Sequence, residues 1–408
     1  MHGRAALRDD CHGNGQIAPT ITIGLLWHSL NSGNLGIGAL TLANLAIARE
    51  AARRAGLTPR FVIMGARESE PPPFAGLDIQ CVAIDSRALK PGGAIWRAMG
   101  KVDCVLDIGA GDSFTDIYGP RRFLFLTLTK LFALARGRPL VLSPQTIGPF
   151  TGAGYKAIAA FIMRRSRAVF ARDEASRVAA LSLAPEANVK LAVDVAFELP
   201  FTDRASLRGS PVLRIGVNVS GLLFGEAERG TNHFGLSYDY AVFTRRLLSA
   251  LTRQPSLQVH LIPHATNREN PVDDDGVVAD RLAREFPAVI RVPDFADPSR
   301  AKSYISGLDL LVAGRMHACI AAFSTGVPVV PVAYSRKFTG LFGLLDYDMM
   351  IPVKGMDEDA AVACVMQALG SRLQLAAAEV EGLAKVETLL AGYRATLSGL
   401  FASVSQRS

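Results

Sequence analysis

Short, unbroken apolar runs in this chain end repeatedly in a glycine-rich or polar loop, and each loop opens a longer stretch of helical period. The runs lie at Ile21–Trp27, Arg60–Met64, Val102–Ile108, Pro139–Ser143, Ala168–Ala171 and Leu191–Val195. A half-exposed strand alternates polar and apolar residues; one without alternation is covered on both faces, as parallel sheets flanked by helices require. Strand and helix in strict turn therefore predict an α/β layer fold. A composition shift at Leu199–Ser210, with Pro200, Asp203, Arg204, Arg208 and Gly209, predicts a linker. The alternation then restarts at Leu213–Asn218 and continues through helices near Tyr240–Gln254 and Gly276–Phe286. The strands of this second series are expected at Val259–Pro263, Ala288–Val292, Leu308–Ala313 and Val327–Tyr334. A length of 408 residues suits two such domains. The expected boundaries are a polar extension over residues 1–19, a first α/β domain over 20–205, a second over 206–356 and an Ala/Leu-rich helical segment over 357–408. That segment either packs back on the first domain or makes a partner interface. Tandem α/β domains leave a cleft at the carboxyl ends of their strands, where such sheets bind ligands.

Composition narrows the partners. A net charge of +7 favours anions such as phosphates, acidic glycans or a membrane surface. The bases are spread along the chain and aromatics make up only 7%, which argues against a nucleic-acid module with its concentrated stripe. Cys11, Cys81, Cys104, Cys319 and Cys364 are odd in number and scattered, so neither a disulfide framework nor a zinc knuckle follows and a cytoplasmic setting is expected. Met1–Pro19 has no apolar run of the kind a signal peptide needs. The apolar stretch Phe123–Ala135 is broken by Lys130 and falls short of the ~20 residues of a membrane span, so any membrane contact is expected to be peripheral. Asp273-Asp274-Asp275 lacks an alternating ligand pattern and reads as a solvated loop, and no metal site is expected.

The sharpest local pattern is Gly314-Arg315-Met316-His317 directly after Leu308–Ala313. A strand that stops at glycine and opens a helix presents free N–H groups and a positive dipole end. Arginine adds a rigid fork for phosphate or carboxylate, and histidine a group that titrates near neutrality. In isolation the same residues also read as an arginine on a structural carboxylate and a hydrogen-bonded core histidine. The next strand delivers Ser335-Arg336-Lys337 to the same edge, and two basic clusters side by side favour an anion between them. In the first half, Arg172-Asp173 opens a helix after the run ending at Ala171; Asp173 is placed to cap that helix and Arg172 to face the crevice. Polar groups at other strand ends complete the candidates: Asn34 in the loop Asn31–Gly38, Asp112 after Gly109-Ala110-Gly111, Gln145 in Pro144–Pro149, and His264 after Pro263. Each also reads as an ordinary turn residue. The first loop lacks the spacing of a dinucleotide fingerprint. Cys319 is a poor nucleophile candidate, because residues two apart such as His317 do not share a helical face.

Taken together, Gly33–Gly38, Gly109–Asp112, Gln145–Gly148, Arg172–Ser176, Asp194, Gly314–His317, Pro328 and Lys337 resemble, in order, the polysaccharide pyruvyl transferase family over about residues 20–350. The most specific part is Arg315 and His317 followed by Lys337. The sequence departs from the family in having Gly109-Ala110-Gly111 where many members carry three glycines, and Asn34 and Gly36 where a Gly-Asp pair is frequent. The resemblance implies a glycosyltransferase-B-like pair of Rossmann-type domains with phosphoenolpyruvate as donor in the cleft. It implies a donor site of Arg172, Arg315, His317 and Lys337, and a sugar or lipid-linked oligosaccharide as acceptor on the first-domain side. On this reading arginines clamp the trianionic donor and His317 serves as general acid or base. Arg315 and Lys337 hold the departing phosphate, and neither metal nor redox cofactor takes part. A nucleotide-sugar glycosyltransferase of the same architecture and a non-catalytic glycan-assembly protein are the alternatives. No glutamate stands near Gly314–Tyr334 to hold a ribose, and a non-catalytic binder has no need of Arg315, His317 and Lys337 together.

Overall fold

A computed structural model describes residues 18–30, 33–66, 78–90, 92–111, 113–266 and 271–406. The apolar runs form two parallel sheets. The first contains β1 (Thr20–Leu26), β2 (Thr58–Gly65), β3 (Ile79–Ala83), β4 (Cys104–Asp107), β5 (Ser113–Phe114), β6 (Leu140–Ile147), β7 (Ala168–Ala171) and β8 (Val189–Leu191), in the order β3-β2-β1-β4-β6-β7-β8 with β5 paired to β6. Its helices are α1 (Leu35–Arg54), α2 (Ala94–Met99), α3 (Pro120–Ala135), α4 (Ala153–Arg165) and α5 (Glu174–Leu183). The second sheet contains β9 (Leu213–Asn218), β10 (Leu257–Leu261), β11 (Ile290–Arg291), β12 (Leu310–Ala313) and β13 (Val329–Pro331), in the order β11-β10-β9-β12-β13. Around it lie α6 (Gly221–Glu228), α7 (Tyr240–Thr252), α8 (Asp275–Glu285), α9 (Pro298–Ile305), α10 (Met316–Phe323) and α11 (Arg336–Leu344), followed by α12 (Glu358–Gly370) and α13 (Arg372–Ser405). In each sheet the chain builds outward from its first strand on one side and then crosses to the other. That reversal opens a crevice beside β1 and beside β9.

Some elements differ from the sequence reading, the two-residue β5 among them. The edge strand β3 is half-exposed and was not anticipated, because it carries no sustained apolar run. The run Leu191–Val195 leaves the sheet at Leu191, and Asp194 caps a short 3₁₀ turn over Val195–Glu198. The helical segment from residue 357 divides between the two sheets. Helix α12 buries Ala361, Val365 and Ala368 in the second domain's core. The chain then bends by 81° and α13 passes Phe323 and Leu345 of the second domain at Gly382 before lying along the first. Its buried stripe of Leu390, Tyr393, Leu397, Leu400 and Phe401 recurs at helical spacing. The Tyr393 hydroxyl donates to Asn44 Oδ1 at 2.7 Å and lies 2.8 Å from Ser143 Oγ, tying α13 to α1 and β6.

Helix α1 is the wedge between the domains. Asn34 starts it, its side chain accepting from Gly36 N at 2.9 Å. It packs on α13 from its own side and on α9 and α10 from the other, so one apolar core runs through both domains. Helix α1 has the length and apolarity of a membrane span, but 72% of that stretch is buried in the protein. Just before α1 the domains meet backbone to backbone: Asn34 bridges Ala265, Leu35 N–H donates to the His264 carbonyl at 3.2 Å, and Thr266 N–H to the Gly33 carbonyl at 2.8 Å. A Cβ on Gly33 would lie 2.1 Å from the Thr266 oxygen, so this junction requires glycine.

Candidate active site

The register of β12 on β9 places Ala313 beside Asn218, so the turn after β12 opens over the second crevice. Arg315 N–H donates to Asn218 Oδ1 at 3.0 Å. The Arg315 guanidinium is held by two carboxylates. It donates to Asp275 Oδ1 from Nε at 3.0 Å and from Nη2 at 2.7 Å, and to Asp273 Oδ1 at 2.6 Å. Burial opposes its charge, but Asp275 and Asp273 outweigh burial and raise its pKa. Asp275 is fully buried and also accepts from Asn218 Nδ2 and from the backbone N–H groups of Gly221, His264 and Ala265. The expected solvated acidic loop is therefore corrected: Asp274 caps α8, and Asp275 is the node joining β9, β10 and β12. Breaking a buried pair of this kind costs about 3–5 kcal/mol. Arg315 is thus paired with two acids and tied by its backbone to β9 at the turn that leads to His317.

His317 sits in the first turn of α10 and reaches across to the first domain. Its Nε2 lies 3.7 Å from Asp194 Oδ2. Its Nδ1 edge meets the N-terminus of α1, where a Cβ on Gly36 would be 2.3 Å away. Burial pulls the imidazole pKa down, with Asp194 pulling it up and Arg172 down again; the net shift is downward and favours the neutral ring. Asp194 Oδ2 also accepts from Arg172 Nη1 at 2.8 Å, and Arg172 Nε donates to Thr146 Oγ1 at 2.9 Å. Arg172 Nη2 makes no hydrogen bond among the described residues. Lys337 completes the group from α11, its pKa lowered to about 8 by burial.

Arg172, Asp173 and Asp194 from the first domain and Met316, Lys337 and Leu341 from the second line one small interdomain cavity of about 10 Å³. That is room for about one water. Helices α5, α10 and α11 all begin at this cavity, with Asp173 as the N-cap of α5, Met316 opening α10 and Lys337 in the first turn of α11. Three positive dipole ends, Arg172 and Lys337 thus meet there with the carboxylates of Asp173 and Asp194, the latter 3.7 Å from His317 Nε2. Roomier concavities of about 290 Å³ beside α6–α7 and about 590 Å³ beside α3–α4 contain none of the residues singled out from sequence.

The remaining candidates lie around this centre. His264 is buried beside it, its pKa pushed to about 3 by burial and by the neighbouring His317 and Arg315. Asn34 caps α1. Gln145 is buried within the first sheet, where its Nε2 shares hydrogens among the Asp107 carbonyl, Asp107 Oδ2 and the Ser143 carbonyl at 3.0–3.2 Å. Beneath it, Asp107 and Lys130 form a fully buried ion pair at 3.0 Å. Gln145 thus serves the sheet in this state rather than projecting toward a sugar. Asp112 lies outside the described residues.

Residues 35–336 match the family model described as polysaccharide pyruvyl transferase. The chain belongs to the polysaccharide pyruvyl transferase family. Among curated relatives, the amylovoran biosynthesis protein AmsJ of Erwinia amylovora is 22% identical over 286 residues. That match covers 64% of this chain and 64% of AmsJ, so this member spans less than two thirds of that relative's length. Solved structures share the fold at low identity. Anabaena HepE in complex with UDP and glucose matches with a TM-score of 0.52 and 13% identity, covering 91% of this chain and 95% of HepE. The α,α-trehalose 6-phosphate synthase of Burkholderia multivorans matches with a TM-score of 0.53 and 11% identity, covering 95% and 98%. The architecture is accordingly glycosyltransferase-B-like.

Asp194 stood among the family-like positions but, like Asn218 and Asp275, was not read as a site residue; Asp194 holds Arg172, and Asn218 and Asp275 hold Arg315. Asp194 had a weak signal, an acid directly after an apolar run. Asp275 had none, because its partner stands 40 positions away.

Proposed function

We propose that this protein transfers the pyruvyl unit of phosphoenolpyruvate to a sugar of a polysaccharide or its lipid-linked precursor, forming a cyclic ketal and releasing phosphate. The observation that carries the reading is the convergence of Arg172, Lys337 and three helix N-termini on one interdomain cavity, with His317 reaching Asp194 on its wall at 3.7 Å. A small trianion suits such a site. Arg172 and Lys337 hold its phosphate and carboxylate while the helix ends stabilise charge growing on the departing phosphate. His317 takes the proton from the attacking hydroxyl as the acceptor oxygen bonds to C2, and the methylene carbon gains one proton to become methyl. A second hydroxyl replaces phosphate at C2, its proton leaving with the phosphate, so one donor and one diol give one ketal and one phosphate. Arg315 acts by holding the turn beneath His317. The scheme uses no metal or redox cofactor, and a phosphoenolpyruvate donor places the reaction in the cytoplasm. AmsJ, named for amylovoran biosynthesis, supports a role in polysaccharide synthesis. The likeness to UDP-bound structures concerns fold, which does not decide the donor.

The test is heat protection by phosphoenolpyruvate or by UDP, followed by phosphate release with a panel of aryl hexosides. Protection by phosphoenolpyruvate that is lost in Arg172→Ala and Lys337→Ala is expected. With an accepted sugar, a mass gain of one pyruvyl ketal is expected, and a turnover about 10²–10⁴-fold lower in His317→Gln. Protection by UDP but not by phosphoenolpyruvate would overturn the reading in favour of glycosyl transfer.

A further inference from the structure

Between Asp116 and Asp173 stand ten arginines and lysines and not one acidic residue. The whole chain has 37 Asp and Glu in 408 residues, so about five would be expected in a stretch of this length. The segment folds as β6, β7 and the neighbouring helices α3 and α4, which pack side by side on one face of the first sheet. Six of its bases are exposed: Arg121, Arg136, Lys156, Arg164, Arg165 and Arg167. None of these six pairs with a carboxylate among the described residues. The same face exposes Ile117, Tyr118, Leu124, Ile158 and Phe161, at 39–55% of their surface. These are five of the fifteen large exposed apolar residues described, so the concentration is local rather than the scatter every surface shows. Arg122 lies over the Tyr118 ring at 4.7 Å and Arg165 over Phe161 at 5.7 Å, so cation and apolar surface are presented together. Between the carboxyl ends of α3 and α4 a groove of about 590 Å³ has Leu131, Leu134, Pro139 and Phe161 with Arg138 and Arg165.

We propose that the α3–α4 face docks on an anionic lipid bilayer. Apolar residues that enter the headgroup boundary, flanked by unpaired cations on a segment with no acid between Asp116 and Asp173, are what peripheral binding to such a surface requires. In a parallel sheet the helices begin at the carboxyl ends of the strands. Ile117, Tyr118 and the start of α4 therefore lie on the edge that faces the cleft, where a lipid-linked acceptor would arrive. The docking face does not depend on the identity of the donor.

The experiment sediments the full chain with vesicles of phosphatidylcholine alone or with about 30 mol % phosphatidylglycerol, an anionic lipid. Salt-sensitive binding to the anionic vesicles alone is expected. Arg164→Glu with Arg165→Glu should weaken it by about twentyfold or more. Leu124→Glu with Phe161→Glu should abolish it, with circular dichroism melts unchanged because all four side chains are exposed. Equal binding to both vesicles, binding to neither, or binding unaffected by these changes overturns the proposal. So does a concentration-dependent dimer in sedimentation velocity that Phe161→Glu dissociates, which would assign the face to a second copy of the chain.

Discussion

Asp194 shows how one side chain serves both domains. Its Oδ1 caps the turn that ends the first domain's sheet, while its Oδ2 holds Arg172 and faces His317. Its charge raises the His317 pKa against the pull of burial. In Asp194→Asn that support disappears, so His317 should lose its proton at lower pH and the acid limb of the rate profile should move down. Turnover should fall about 10²-fold, with no loss of phosphoenolpyruvate binding, since Arg172 then carries an uncompensated charge toward the donor. A pH–rate profile together with donor affinity separates this from simple misfolding; an unmoved acid limb would remove Asp194 from the proton step.

At the scale of elements, the turn after β4 has a local cost. Ala110 sits at φ 60°, ψ 35°, a left-handed conformation that disfavours a residue with a Cβ. The Gly-Ala-Gly departure from the family's three glycines falls at this point. Ala110→Gly should raise stability by about 1 kcal/mol, read as an increased urea midpoint at unchanged slope. The elements themselves were largely legible in the sequence. Parallel strands buried on both faces produce unbroken apolar runs, and Asp173 announces the helix it caps, whereas Asn34 read only as a loop residue. The edge strand β3 was not legible because an edge does not need such a run. At the site, the signal that could be read was the placement of polar residues at strand ends. The pairing was hidden: nothing local in Gly314–His317 says that Arg315 is neutralised by acids 40 and 42 positions upstream, or that Gly36 has to be small for His317 to pass.

At the scale of the whole molecule, the two domains are closed on each other. The cavity between Arg172 and Lys337 holds about one water, so a donor enters only if the domains part, and the bridges at Asn34–Ala265 and from Arg336 to the Gly148 carbonyl are among the contacts that must yield. Stability also has a global pH signature. Buried His28 and His264, with pKa values near 3, and His260, near 4, resist the protons that the unfolded chain takes up below about 6.5. Their contribution is therefore lost as pH falls from 6.5 toward those values. Glu379 in α13 works in the opposite sense. Burial pushes its carboxyl well above the usual range, so the folded state keeps a proton that the unfolded state releases above about 4.5, and stability is lost as pH rises. Glu379→Gln should melt higher than the parent at pH 8, with the gap closing toward pH 5; a gap independent of pH would mean that ionisation is not the cause. The placement of α13 also bears on how the chain is made. Leu390, Tyr393, Leu397 and Phe401 fill the core built around α1, β6 and β7, yet they leave the ribosome more than 200 residues after β7. The first domain to be synthesised is thus among the last to be finished. Until then it carries an open apolar seam, which exposes the nascent chain to aggregation and to chaperones while the second domain is being made.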